Sequence, residues 1–146
     1  MKKLIVSALI SISLLGLAGC SHTANATVSV KSQKTKNYDK MVENCITEGL
    51  KTSSGAAEHN AIFIDCHENA AKEMDTEIAR LSQKISQNLD DYSKKEFNAT
   101  QQSWRVYREK QCYLESSLIG SPQGGVCVFN MTQARLNELQ SLVSQK

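Results

Sequence analysis

His59, Asp65, Cys66, His67 and Glu68 fall within ten residues, and these are the side chains that bind metals or carry nucleophilic chemistry. A zinc site needs such groups to converge on one point. His59 and His67 stand eight residues apart, about two helical turns, too far to share one small ion unaided. Cys66 and His67 are neighbours in sequence, which is not the spatial thiol–imidazole pair that thiol catalysis requires. There is no Cys-x-x-Cys, no serine in a nucleophile elbow and no Gly-rich phosphate loop before a helix. The two histidines therefore read as surface residues, and the sequence predicts no catalytic residue, no metal and no cofactor. Asp75 and Glu77 make no acid–base pair, because positions i and i+2 diverge on a helix. Asp75 instead sits beside Met74 and Ile78 at the edge of an apolar row. A carboxylate there calls for a cationic partner, and Arg108 or Arg135 can supply one.

Residues 101–112 hold the only tryptophan, two arginines and a cysteine. At helical spacing Gln101, Trp104, Tyr107, Arg108, Gln111 and Cys112 fall on or beside one face. The pattern predicts a structural core of Trp104, Tyr107 and Arg108, with Asp75 paired to Arg108 and Arg135 as the next candidate partner.

The elements that position these groups are helical. Aromatic residues are few, proline occurs once, and good helix formers are plentiful. A first helix is expected over 38–50, with Met41, Val42, Cys45 and Ile46 inward. Gly49 and the run Thr52-Ser53-Ser54-Gly55 break it, and Ser54 is expected to cap a second helix reaching residue 88. Ala57, Ala61, Ile64, Ala70, Met74, Ile78, Leu81, Ile85 and Leu89 mark its apolar stripe. Ser93 and Glu96 resemble a capping box for a third helix over 94–117. Residues 120–125 read as a loop, and a last helix over 127–143 turns Met131, Ala134, Leu139 and Leu142 inward. The fold class is all-α, a small antiparallel bundle of three to four helices.

Cys45, Cys66, Cys112 and Cys127 allow two disulfides in three pairings. Cys45 and Cys66 flank one break, Cys112 and Cys127 the other, and these local pairs are preferred. A stapled loop over 119–126 would present Ser121, Pro122 and Gln123 as the partner contact.

The chain opens with Lys2 and Lys3, then an apolar run over 4–15 that is too short to span a membrane. Leu17-Ala18-Gly19-Cys20 resembles the bacterial lipoprotein signal, in which Cys20 is acylated after cleavage before it. Ser21, rather than aspartate, resembles the sorting signal for the outer membrane. The expected organisation is a signal peptide over 1–19, a flexible tether over 20–36 and a helical domain over 37–146. The net charge of +2 falls to zero once Lys2 and Lys3 are removed, leaving 15 basic and 15 acidic residues. That balance offers no basic excess for nucleic acid.

The spacing Gln101-x-x-Trp104-x-x-Tyr107-Arg108-x-x-x-Cys112 resembles the signature of the LprI-like lysozyme-inhibitor N-terminal domain family. Upstream, Cys66, Asp75 and Ile78 match that family in type, while Ala79 stands where Asn is usual and Ser82 near a Tyr position. Downstream, Gly120, Gly124, Gly125, Cys127, Thr132, Arg135 and Leu139 fit. The resemblance spans roughly residues 45–142. It implies a helical, exported, often lipidated protein without known enzymatic activity. Two functions follow as expectations. One is an outer-membrane-anchored periplasmic inhibitor of lysozyme, placing a rigid loop in a cleft that carries two catalytic carboxyl groups. The other is a non-enzymatic envelope module that binds another periplasmic protein. In either case the membrane is engaged through the lipid on Cys20.

Overall fold

The computed structural model describes residues 36–145. The expected signal peptide, the acylated Cys20 and the tether up to residue 35 lie outside the described residues. Four helices follow in order: α1 (Tyr38–Leu50), α2 (Ala56–Ser86), α3 (Asp91–Ile119) and α4 (Ser121–Ser144).

Helix α1 starts where the Asn37 side chain accepts a hydrogen bond from the Lys40 N–H at 2.9 Å. It buries Tyr38 and Val42 and half-buries Met41, Cys45 and Ile46. It ends close against α2, where a Cβ on Gly49 would lie 2.6 Å from Ile62 Cγ2.

Helix α2 carries the largest share of the core. Cys66, Ala70, Met74, Ile78 and Leu81 recur every three or four residues, and all are buried. Its cap differs from expectation. Gly55 holds the cap position without a side-chain bond, and the Glu58 carboxylate accepts from the Ser54 N–H at 2.9 Å. Ser54 thus supplies a backbone donor rather than a hydroxyl acceptor. Ala57 and Ala61, expected inward, are exposed. The reason lies in α4, which begins only four residues before the Gly125 that touches Ile64, so the first turns of α2 run past its start.

Helix α3 begins three residues earlier than the Ser93–Glu96 pattern suggests. Asp90 caps it, accepting from the Ser93 N–H at 2.8 Å and the Ser93 hydroxyl at 2.9 Å. The backbone bond from Ser93, helped by its hydroxyl, holds the Asp90 carboxyl below its ordinary value of 3.8. A depressed folded-state pKa contributes stability above the unfolded value, and that stability is lost as pH falls through the folded value. Asp90→Asn keeps a capping oxygen that does not titrate. Between about pH 5 and about pH 3, thermal melts should show a larger Tm drop for the wild type than for Asp90→Asn. Equal drops would mean that the cap carries no charge dependence.

The stretch over 120–125 is not a loop. Gly120 alone (φ 132°, ψ 156°) separates α3 from α4, and its positive φ is the one backbone geometry here that favours glycine. Pro122 sits in the first turn of α4, where a missing N–H costs nothing. Gly124 and Gly125 are helical and serve close packing. A Cβ on Gly124 would lie 2.9 Å from Ser116 Cβ, and one on Gly125 would lie 3.2 Å from Ile64 Cα.

Helix α4 packs chiefly against α2 and then α3, whereas α2 and α3 barely touch and α1 covers α2. Ile64 meets Gly125, and further along Asp75 reaches Thr132 through Arg108, so α2 and α4 run in the same direction. Consecutive helices alternate in direction, as an antiparallel bundle requires, but the densest seam joins two parallel ones. Phe129, Thr132, Leu136 and Leu139 form the inner row of α4. Ala134 and Leu142, expected inward, face solvent because the row is phased from Gly125. Cys45 bonds Cys66 and Cys112 bonds Cys127, so each disulfide staples one helical pair.

Candidate functional site

The motif residues of α3 assemble a tie between three helices. Arg108 Nη1 donates to Asp75 Oδ1 at 2.9 Å and Oδ2 at 3.0 Å on α2, and to Thr132 Oγ1 at 2.8 Å on α4. The Thr132 hydroxyl in turn donates to the Val128 carbonyl at 2.6 Å. The Arg108 guanidinium lies 4.9 Å from the Trp104 ring centre, and that of Arg135 lies 5.9 Å from it. Arg135 also donates to Gln101 Oε1 at 3.3 Å and to Glu138 Oε2 at 2.7 Å. Each cation here has a carboxylate partner and lies near an aromatic face, so the cluster ties the helices together.

The expected core members fare unequally. Arg108 is buried, while Asp75, Trp104 and Arg135 are half-buried. Tyr107 is 58% exposed and is not a core residue. One position before Arg108, it is turned 100° from the face that meets α4, and among the described residues no helix covers α3 on that side.

Ser121, Pro122 and Gln123 form the first turn of α4 at one end of the bundle, close to the Cys112–Cys127 staple. They are a rigid helical corner rather than a presented loop. Pro122 reaches beyond that corner, because it lines a concavity of about 350 Å3 with Ile46, Leu50, His59, Asn60 and Phe63.

A larger concavity, about 390 Å3, continues from it and shares Ile46 and Phe63. Asp39, Glu43 and Thr47 of α1 edge it, and Phe63, His67 and Phe129 wall it from α2 and α4. His67, expected at the surface, is buried. Its ring packs 4.5 Å from Phe63 and edge-on to Phe129 at 5.5 Å. His67 Nδ1 stands 2.7 Å from the Phe63 carbonyl, which can only accept, so that nitrogen carries a proton. The rows His59, Phe63, His67 and Asp39, Glu43 recur every four residues, a regularity that marks one helix face each. Spacing along α2 alone does not reveal this groove, because its other walls come from α1 and α4.

A third feature is the outer face of α3. Val106, Tyr107, Tyr113, Leu114 and Leu118 share it, with exposures from 45% to 76%. Among the described residues, no three His, Cys, Asp or Glu side chains converge as metal ligands, and no helix is long and apolar enough to cross a membrane.

No curated protein and no solved structure matches this chain. The family model described as "Lysozyme inhibitor LprI" matches residues 51–139, which take in α2, α3 and most of α4. The matched span includes Asp75, Trp104, Arg108, Thr132 and the Cys112–Cys127 bond, the tie and staple on which these helices are built. The chain belongs to the LprI lysozyme inhibitor family.

Proposed function

We propose that this protein is a lipid-anchored envelope protein that binds and inhibits a lysozyme or a related cell-wall hydrolase. The family match over residues 51–139 carries the reading. Two disulfides suit an oxidising compartment, and the lipobox ending at Cys20 suits an outer-membrane anchor facing the periplasm. The contact is assigned to the corner formed by Ser121, Pro122 and Gln123 and to the groove that Pro122 lines. Residues 119–126 contain no basic side chain, so this end does not pair by charge with the carboxylates of a lysozyme cleft.

The exposed apolar face of α3 favours a second reading, a module that binds a different envelope protein, since contiguous exposed apolar side chains mark contact surfaces. A turbidity assay with a c-type lysozyme separates the two. Inhibition that saturates with the purified protein is the expected result. Full lysozyme activity at excess protein rejects the inhibitor reading and leaves the module. Intact mass of membrane-extracted protein tests the anchor, and an unmodified Cys20 thiol rejects it.

A further inference from the structure

We propose that the groove between α1, α2 and α4 receives a lysine or arginine side chain of the hydrolase partner, a proposal that rests on the inhibitor reading above. Three observations meet there. The groove, about 390 Å3, lies within the range of small-ligand sites. Its walls are aromatic, with Phe63 and Phe129 available to the alkyl stem and the cationic head of such a side chain. Its polar groups are acceptors. Asp39 and Glu43, one turn apart on α1, form no ion pair among the described residues. Asp39 Oδ2 accepts only a 3.3 Å bond from the neutral Gln133 amide.

His67 adds an imidazole to the groove wall. It is 8% exposed and lines the groove. With the proton on Nδ1 facing the Phe63 carbonyl, the other ring nitrogen, Nε2, can present a lone pair. An acceptor on the groove wall can take a hydrogen bond from an incoming donor. An ammonium or guanidinium meets all of these demands at once: an apolar stem against two phenyl rings, a positive head near two carboxylates, and N–H groups for Nε2. A neutral apolar side chain would leave the acceptors unmet. The chain's near-zero overall charge means that the attraction is local to this groove.

The test has two arms, both on the purified full chain. In the first, ring resonances of His67 and Phe129 are followed by NMR during titration with Gly-Arg-Gly-amide, Gly-Lys-Gly-amide and Gly-Leu-Gly-amide. Shifts are expected with the two cationic peptides and not with the leucine peptide, and they should vanish in Asp39→Asn/Glu43→Gln. Both substituted positions are exposed, so the fold is retained. No shift with either cationic peptide, an equal shift with the leucine peptide, or shifts that persist in the double variant each overturn the proposal. In the second arm, calorimetry compares lysozyme binding to wild type and double variant, with an expected loss of about tenfold or more. Equal binding to both overturns the groove as the lysozyme contact while leaving the inhibitor reading intact. No binding to the wild type rejects the inhibitor reading, and the peptide arm alone then decides what the groove recognises.

Discussion

Asp75→Ala is expected to destabilise the protein by about 3 kcal/mol, more than Arg108→Met does, although the two residues share one interaction. The asymmetry comes from burial. The Arg108 side chain keeps 10% of its surface and Asp75 keeps 31%. Removing Asp75 strands a guanidinium that has only the Thr132 hydroxyl and the Trp104 ring left. Its Nε already has no partner among the described residues, so the site has no spare acceptor. Removing Arg108 in favour of methionine returns Asp75 to partial solvent and leaves Thr132 its own bond to Val128. That substitution keeps most of the apolar volume against Trp104 and should cost about 1–2 kcal/mol. The double variant should lie near Arg108→Met alone, which gives a coupling of about 3 kcal/mol. Urea unfolding of the four proteins measures it. Additive single effects would mean that the pair carries no net interaction and that α2 is held to α3 by other means.

Reduction of both disulfides is expected to leave the protein unfolded or nearly so at physiological temperature. The bonds join positions 21 and 15 residues apart. In the chain-entropy model each contributes about 3 kcal/mol. They staple different helical pairs, so their losses should nearly add, to about 6 kcal/mol. Ordinary domains have about 5–15 kcal/mol in total. Calorimetry with and without reductant should show Tm falling by roughly 20 °C or the transition disappearing. Cys45→Ser/Cys66→Ser and Cys112→Ser/Cys127→Ser should each show about half the effect. A Tm that moves by only a degree or two on full reduction would place the stability in packing rather than in the staples.

These expectations could be framed early because several features of the chain are local. The apolar spacing of Met41, Val42, Cys45 and Ile46, with the break after Gly49, marks α1 closely, while its Asn37 cap emerges only in the structure. The cysteine pairs were legible for a similar reason, since each flanks a break between consecutive helices. The corner at Gly120 was misread because composition does not distinguish two uses of glycine. Gly120 is there for its backbone angle, but Gly124 and Gly125 are there so that Ser116 and Ile64 can come close. Tyr107 was misplaced because helical spacing tells which residues share a face, not whether a neighbour covers it. The groove was the least legible feature. Its carboxylates, histidine and phenylalanines come from α1, α2 and α4, and only their packing brings them together.

The two staples also divide the molecule in a way that matters to any protease that meets it. Residues 51–55, between α1 and α2, lie inside the span closed by Cys45 and Cys66, and Gly120 lies inside the span closed by Cys112 and Cys127. A cut in either place leaves a nicked but covalently whole molecule. Residues 87–90, between α2 and α3, are bracketed by neither bond. A single cut there yields two hairpins, each with its own disulfide, joined chiefly by the seam of α2 with α4 and by Arg108 reaching across to Asp75, with longer bonds from Gln133 to Asp39 and Ser86 to Asn98. The protein is thus already partitioned as a split pair, with the Asp75–Arg108 contact as the polar latch between its halves.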